Sequence, residues 1–299
     1  MARRIHMPVM WRWRRGTADI YTTADSSVSA LPSGCVVDRR NPHACDEVPL
    51  QAWFMGAYLV TTQTPGMSAV QFQRQLGLAR YETAFQMLHR LRAGMVRPGR
   101  DRIGTKWVVE VDETLVGGRT QGEGRGVHHK AIVAGAVEVR SRPVASGKKT
   151  QRSVYAGRLR LRHVPDRGRR TLLEFVQNNV EAGALVHTDG WAGYDDLDHL
   201  GYVHEPLVID GDSEKTSAHL PMIHIAFSNL KTWLSGTHHG VGKDHLQAYL
   251  DEFVFRFNRR FYPMTAFASI LGIGMNLTGP SYRDLYDGKW NHHTRSSMP

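Results

Sequence analysis

From residue 105 onward, three stretches of strand character follow one another before any helical pattern intervenes. The first is TKWVVEVDETLVGG. The second is HHKAIVAGAVEVR (128–140), and the third is SVYAGRLRLRHVP (153–165), with arginines alternating outward. Only then comes an amphipathic helix, GRRTLLEFVQNNVEAG (168–183), ending at Gly183. ALVHTDG (184–190) and a short YVHEPLV (202–208) read as fourth and fifth strands. HLPMIHIAFSNLKTWLSGTH and VGKDHLQAYLDEFVFRFNRR are helices again. Successive strands favour an antiparallel meander, and later strand–helix alternation favours parallel pairing. That order predicts an α/β (α+β) chain with an RNase H-like mixed sheet flanked by helices.

The core so defined spans 105–265, with a C-terminal tail at 266–299. A helical segment precedes it at 49–100, and a basic, weakly ordered stretch occupies 1–48. Within the helical segment, Ser68 to Leu76 and about Arg80 to Ala93 form two short helices around a turn at Gly77-Leu78, a helix-turn-helix-like arrangement. Ala84, Phe85, Leu88 and Leu91 are expected to face the core. Arg80, Tyr81, Glu82, Thr83, Gln86, His89, Arg90 and Arg92 then form a polar, basic face suited to a DNA groove. The alternative is a plain αα-hairpin packed on the next domain.

Charge points the same way. The chain carries 38 Lys plus Arg against 28 Asp plus Glu, a net +10, which favours a polyanionic partner over solubility alone. WRWRR (Trp11 to Arg15) adds aromatic and basic groups, or is simply a solvated tail. Cys35 and Cys45 are too few for a disulfide framework and are not spaced as a Cys-x-x-Cys knuckle, so a structural zinc site is poorly supported. No run approaches the ~20 apolar residues of a membrane helix, and the Arg-rich N-terminus lacks an apolar core before a cleavage site. A reducing, cytoplasmic setting is expected. No dinucleotide fingerprint or nucleophile elbow is present, which disfavours a small-molecule enzyme.

Three places carry the chemistry. Asp112 in VVEVDET interrupts the apolar alternation at the end of the first strand. Asp189 in HTDGW follows the fourth. His224, Asn229 and Lys231 lie on the helix HIAFSNLKTWL. Taken singly, Asp112 caps a turn before Gly117-Gly118, Asp189 belongs to an Asp-Gly turn, Asn229 is a surface amide and Lys231 is solvated. Taken together, an RNase H-like sheet sets the first and fourth strands side by side. Asp112 and Asp189 then repel unless a cation lies between them. Carboxylate, carbonyl and water donors suit Mg²⁺ or Mn²⁺, and a pair of such ions clamps both oxygens of an in-line phosphoryl displacement. Glu113 is an alternative ligand, but points to the opposite face if the strand continues. The basic residues His238, His239 and Lys243 join Lys231 in holding DNA phosphates.

Five stretches carry a resemblance. They are PLQAWFMGAYLVTTQTPGMSAVQFQRQLGLARYETAFQMLHRLR, VEVDETLVGGR, HTDGWAGYDDL, FSNLKTWLSGTHHGVGKDHLQAYLDEFVFRFNRR and FYPMTAF, together spanning most of 49–287. The chain resembles bacterial insertion-sequence transposases of the RNase H-like DDE superfamily. It looks most like the group built from an N-terminal zinc ribbon, a helical DNA-binding segment and a catalytic core. In that group the third metal position is Glu, Asn or His followed by a Lys two residues on, and Asn229 with Lys231 matches the Asn form. The resemblance implies that Asp112, Asp189 and Asn229 bind two Mg²⁺ or Mn²⁺ ions, and that Lys231 contacts DNA or the reacting phosphate. It implies cleavage at insertion-sequence ends, strand transfer into target DNA, and a homodimer or higher assembly on double-stranded DNA beside the nucleoid. A decayed or repurposed DNA-binding protein and a nuclease of the same fold are the alternatives. One departure stands out: the resembling proteins carry Cys-x-x-Cys knuckles, and no four-ligand zinc site can be built from Cys35 and Cys45 without reaching to His43 or His6.

Overall fold

A computed structural model describes residues 48–97, 99–117, 130–143, 153–207, 220–274 and 280–286. Cys35, Cys45 and Trp11 to Arg15 lie outside them. Three helices come first: α1 (Leu50–Thr62), α2 (Ala69–Leu76) and α3 (Tyr81–Ala93). Ser68 opens α2, its side chain accepting from Gln71 N at 3.2 Å. Gly77 closes α2 at φ 64°, a left-handed conformation in which glycine escapes the Cβ penalty. The expected pair of short helices around a tight turn is therefore present.

The sheet follows: β1 (Val108–Val116), β2 (Ala131–Ser141), β3 (Val154–Val164), α4 (Arg169–Asn179), β4 (Leu185–Thr188) and β5 (Val203–Pro206). Its order is β3-β2-β1-β4-β5. β1 to β3 pair antiparallel, while β4 runs parallel to β1 and β5 parallel to β4. This is the mixed RNase H-like arrangement that the order of strand patterns predicts. Two long helices complete the core, α5 (Pro221–His238) and α6 (Lys243–Arg259).

Strand alternation splits the core into two layers. Val109, Val111, Ala134 and Ala136 pack with Leu172, Phe175 and Val176 of α4 on one face. Val133, Val137, Leu159 and Leu161 pack with Ile223, Phe227, Leu230, Leu250 and Phe253 of α5 and α6 on the other. Central strand β1 is thus covered on both sides, so its polar residues need partners rather than water.

Gly135 of β2, opposite Asp112 of β1, sets how closely α5 approaches. A Cβ there would lie 2.7 Å from the Phe227 ring and 2.9 Å from Ile223 Cδ1. Gly135→Ala is expected to lower stability by about 1–3 kcal/mol, the usual effect of overpacking, and to lift α5 off Asp112. Urea unfolding of the variant against the parent checks this; unchanged stability would show that α5 yields freely.

Residues 266–299, expected as a tail, begin inside a helix. α7 (Met264–Gly274) buries Ala266 and Ile270 in one cluster with Ala57, Val60, Phe72, Met87 and Leu88 of α1 to α3 and Phe255 of α6. A last short helix, α8, covers Tyr282–Tyr286. Among the described residues, no helix is long and apolar enough to cross a membrane.

Candidate active site

β1 and β4 create the site by their register. Val109 pairs with Val186 and Glu110 with His187, and carrying that parallel register two residues on sets Asp112 level with Asp189. Asp112 lies in mid-strand, not at the strand end, and is only 8% exposed. Asp189 directly follows β4, where its Oδ1 accepts from Trp191 N at 3.0 Å and Gly190 turns at φ 77°. So the Asp-Gly turn is real, and it also fixes a carboxylate at the carboxyl end of a strand. Burial raises the pKa of Asp189; Trp191 N–H works against this, and the Asp112 carboxylate adds to it.

The third member comes from α5. His224 Nε2 stands 3.1 Å from Asp112 Oδ2. That hydrogen bond raises the imidazole pKa against the effect of burial, with Asp112, Glu110 and Asp189 adding to it. Lys231 lies seven residues on, two turns along the same side of the helix. Burial lowers its pKa, aided by Lys130 and opposed by Asp112.

Asn229, the residue expected in third place, is exposed. It sits five residues from His224, about 140° round the helix, so it faces away from the Asp112 carboxylate. The structure therefore sets His224, not Asn229, beside the Asp112 carboxylate. The two-turn spacing of His224 to Lys231 on one helix is the sequence signal for this placement.

Glu110 explains how α5 is held. Buried at 2% exposure, its Oε2 accepts from both Met222 N and Ile223 N at 2.8 Å, the free donors of the first helical turn. Burial pushes its carboxyl up to about 7 against the pull of those two N–H groups. Glu113 lies on the opposite face, as strand alternation requires. Its Oε2 accepts from Tyr194 Oη at 2.8 Å and its Oε1 from Arg167 Nε at 2.6 Å. It is thus no partner for Asp189.

As placed, no three described His, Cys, Asp or Glu side chains group closely enough to hold one ion. The donor chemistry nevertheless fits one. Oδ2 of Asp112 and Nε2 of His224, the two atoms that meet, are both metal donors, and Asp189 is level with them across one strand pair.

The proposed DNA contacts divide. Arg80, Tyr81, Lys231, His239 and Lys243 are exposed. Arg90 is half-buried and donates from Nε to Pro280 O at 3.2 Å. Arg92 is corrected: it is 1% exposed, ion-paired to Glu252 at 2.8 Å, and stacked 3.8 Å over the Tyr249 ring. His238 is corrected as well. It packs edge-on to Trp233 and Tyr249, and burial, with Arg92, Arg256 and His239 nearby, drops its pKa to about 3, so it carries no charge at neutral pH. Gln86 and His89 are also buried, because α3 is packed on more than one side. Exposure is confined to its N-terminal end, where Tyr81, Glu82 and the capping Arg80 are exposed.

A family model described as ISXO2-like transposase domain matches residues 105–258. No curated protein and no solved structure matches the chain.

Proposed function

The chain belongs to the ISXO2-like transposase family of the DDE superfamily, and from that premise we propose that it cuts DNA at insertion-sequence ends and joins the freed strand to target DNA. The observation that carries this reading is the 3.1 Å contact of His224 with Asp112, with Asp189 level with Asp112 on the neighbouring strand. Asp112, Asp189 and His224 are the residues that would hold a divalent metal, Mg²⁺ or Mn²⁺. Such an ion would supply activation of water and charge neutralisation at the attacked phosphate.

The protein's own groups do the positioning. Glu110 ties the start of α5 to β1, so His224 and Asp112 keep their relative place. The Lys231 ammonium, beside the Asp112 carboxylate, contacts a phosphate oxygen of the bound strand. Asp189 is fixed by its turn and needs no rearrangement of backbone when the phosphate arrives. Water is the nucleophile of the first displacement and the released 3′-OH that of the second, so no covalent enzyme intermediate is required. Arg80, Tyr81, His239 and Lys243 hold the flanking duplex with salt-sensitive affinity. Two ends must be brought together, which calls for a dimer or larger assembly on DNA.

A cell-based assay tests this. A marked mini-element bearing the gene's native flanking DNA is supplied with the parent chain or with Asp189→Ala. Insertions with the parent and none with the variant are expected. Equal insertion counts would remove Asp189 from the chemistry.

A further inference from the structure

We infer that Trp191 is a stacking platform for an unpaired base of the DNA strand whose phosphate meets Asp112 and Asp189. The inference rests on the DNA-cleavage reading above and adds to it a residue that positions the substrate.

Trp191 is 44% exposed, yet it is not loose. Its backbone N–H donates to Asp189 Oδ1 at 3.0 Å, which anchors it to one of the two site carboxylates. Its indole Nε1 donates to Arg167 O at 3.2 Å. The Arg167 guanidinium lies 4.8 Å from the ring centroid, and is itself held by Glu113. The ring also rests against Gly193, where a Cβ would lie 2.9 Å from Trp191 Cδ1 and 3.0 Å from Nε1, and 2.9 Å from Cδ1 of buried Leu172. A half-exposed aromatic is thus fixed by two hydrogen bonds, a cation and a glycine seat, within two residues of Asp189. Ordering a ring in advance lowers what a ligand must lose on stacking against it.

The depth of the site supplies the reason for a base to come there. Asp112 is only 8% exposed, so the phosphate must enter deeply to reach it. A base still stacked in the duplex resists that entry. An unpaired base laid on an aromatic ring recovers the lost stacking, and does so for any base because each has a π-face. The Arg167 cation beside the ring suits the polyanionic strand that carries such a base.

The test measures nicking of duplexes carrying the native flanking sequence, with Mn²⁺, by the parent, Trp191→Ala, Trp191→Phe and Gly193→Ala. Trp191→Ala is expected to lose roughly 5- to 150-fold in kcat/KM, the range for one base–aromatic stack of about 1–3 kcal/mol. Trp191→Phe keeps most activity, and Gly193→Ala, which retains the indole but displaces it, loses a comparable amount to Trp191→Ala. A single abasic position is then moved through the nucleotides flanking the nick. At one position, removing the base slows the parent as much as Trp191→Ala does, and the two changes together add nothing further. Equal cleavage by the parent and Trp191→Ala overturns the inference, as do abasic penalties that are the same in both proteins at every position. Absence of any Mn²⁺-dependent nicking by the parent overturns the cleavage reading itself, which is a separate outcome.

Discussion

Replacing His224 by alanine is expected to lower metal-dependent strand cleavage by at least about 100-fold, whereas Asn229→Ala stays within a few-fold of the parent. Loss of an outer partner of a metal ligand already costs 10- to 100-fold in many sites, and the proposed role of His224 is that of a ligand, not a neighbour. Its Nε2 is 3.1 Å from Asp112 Oδ2, while Asn229 is exposed and turned away. An imidazole adds no negative charge, so the site carries two carboxylate charges instead of three. A nitrogen donor also shifts preference from Mg²⁺ toward a transition ion such as Mn²⁺. His224→Glu restores a hard oxygen donor and a third charge, and is expected to recover cleavage with Mg²⁺. The measurement is end cleavage by the purified variants across a titration of each metal. If Asn229→Ala loses activity and His224→Ala does not, the third position reverts to Asn229.

The sequence pattern favours Asn229, but helix geometry does not. An Asn followed by a Lys two residues on satisfies the pattern of the resembling transposases. On a helix, residues two apart lie about 200° from one another, so Asn229 and Lys231 cannot serve one small site. His224 and Lys231, seven apart, can. The two aspartates were easier to find, because each breaks an apolar strand pattern and strand order alone brings β1 beside β4. The sheet itself is legible for the same reason: period-2 alternation and the absence of a helical sequence pattern between the first three strands fix most of the topology. Glu110 is not legible in the sequence, since nothing in VVEVDET marks which of its acids meets the start of a helix more than a hundred residues later.

The α3 face failed for a different reason. Amphipathic reading assigns polar residues to solvent and apolar ones to the core. α3 packs against α2, α6 and α7, and its polar residues find partners inside the protein. The partner of Arg92 is Glu252, 160 residues away, and no local pattern announces such a pair.

That pair produces the largest stability effect expected here. Arg92 and Glu252 are each 1% exposed and join α3 to α6, and so the helical segment to the catalytic core. Arg92 Nε donates to Glu252 Oε2 at 2.8 Å. The two terminal nitrogens of Arg92 and Oε1 of Glu252 have no hydrogen-bond partner among the described residues. The desolvation penalty is thus only partly offset by hydrogen bonds. Removing either partner leaves the other charge buried and alone, so Arg92→Met or Glu252→Met is expected to destabilise by about 3–5 kcal/mol. Because the pair as built is incompletely satisfied, the double variant Arg92→Met/Glu252→Met recovers most of that loss, and lies near or above the parent in stability. Urea unfolding of all four proteins gives the coupling directly as a double-mutant cycle. Additive losses, with the double variant the least stable of the set, would mean that the methionines cannot fill the space beside the Tyr249 ring and that packing, not charge, governs this contact.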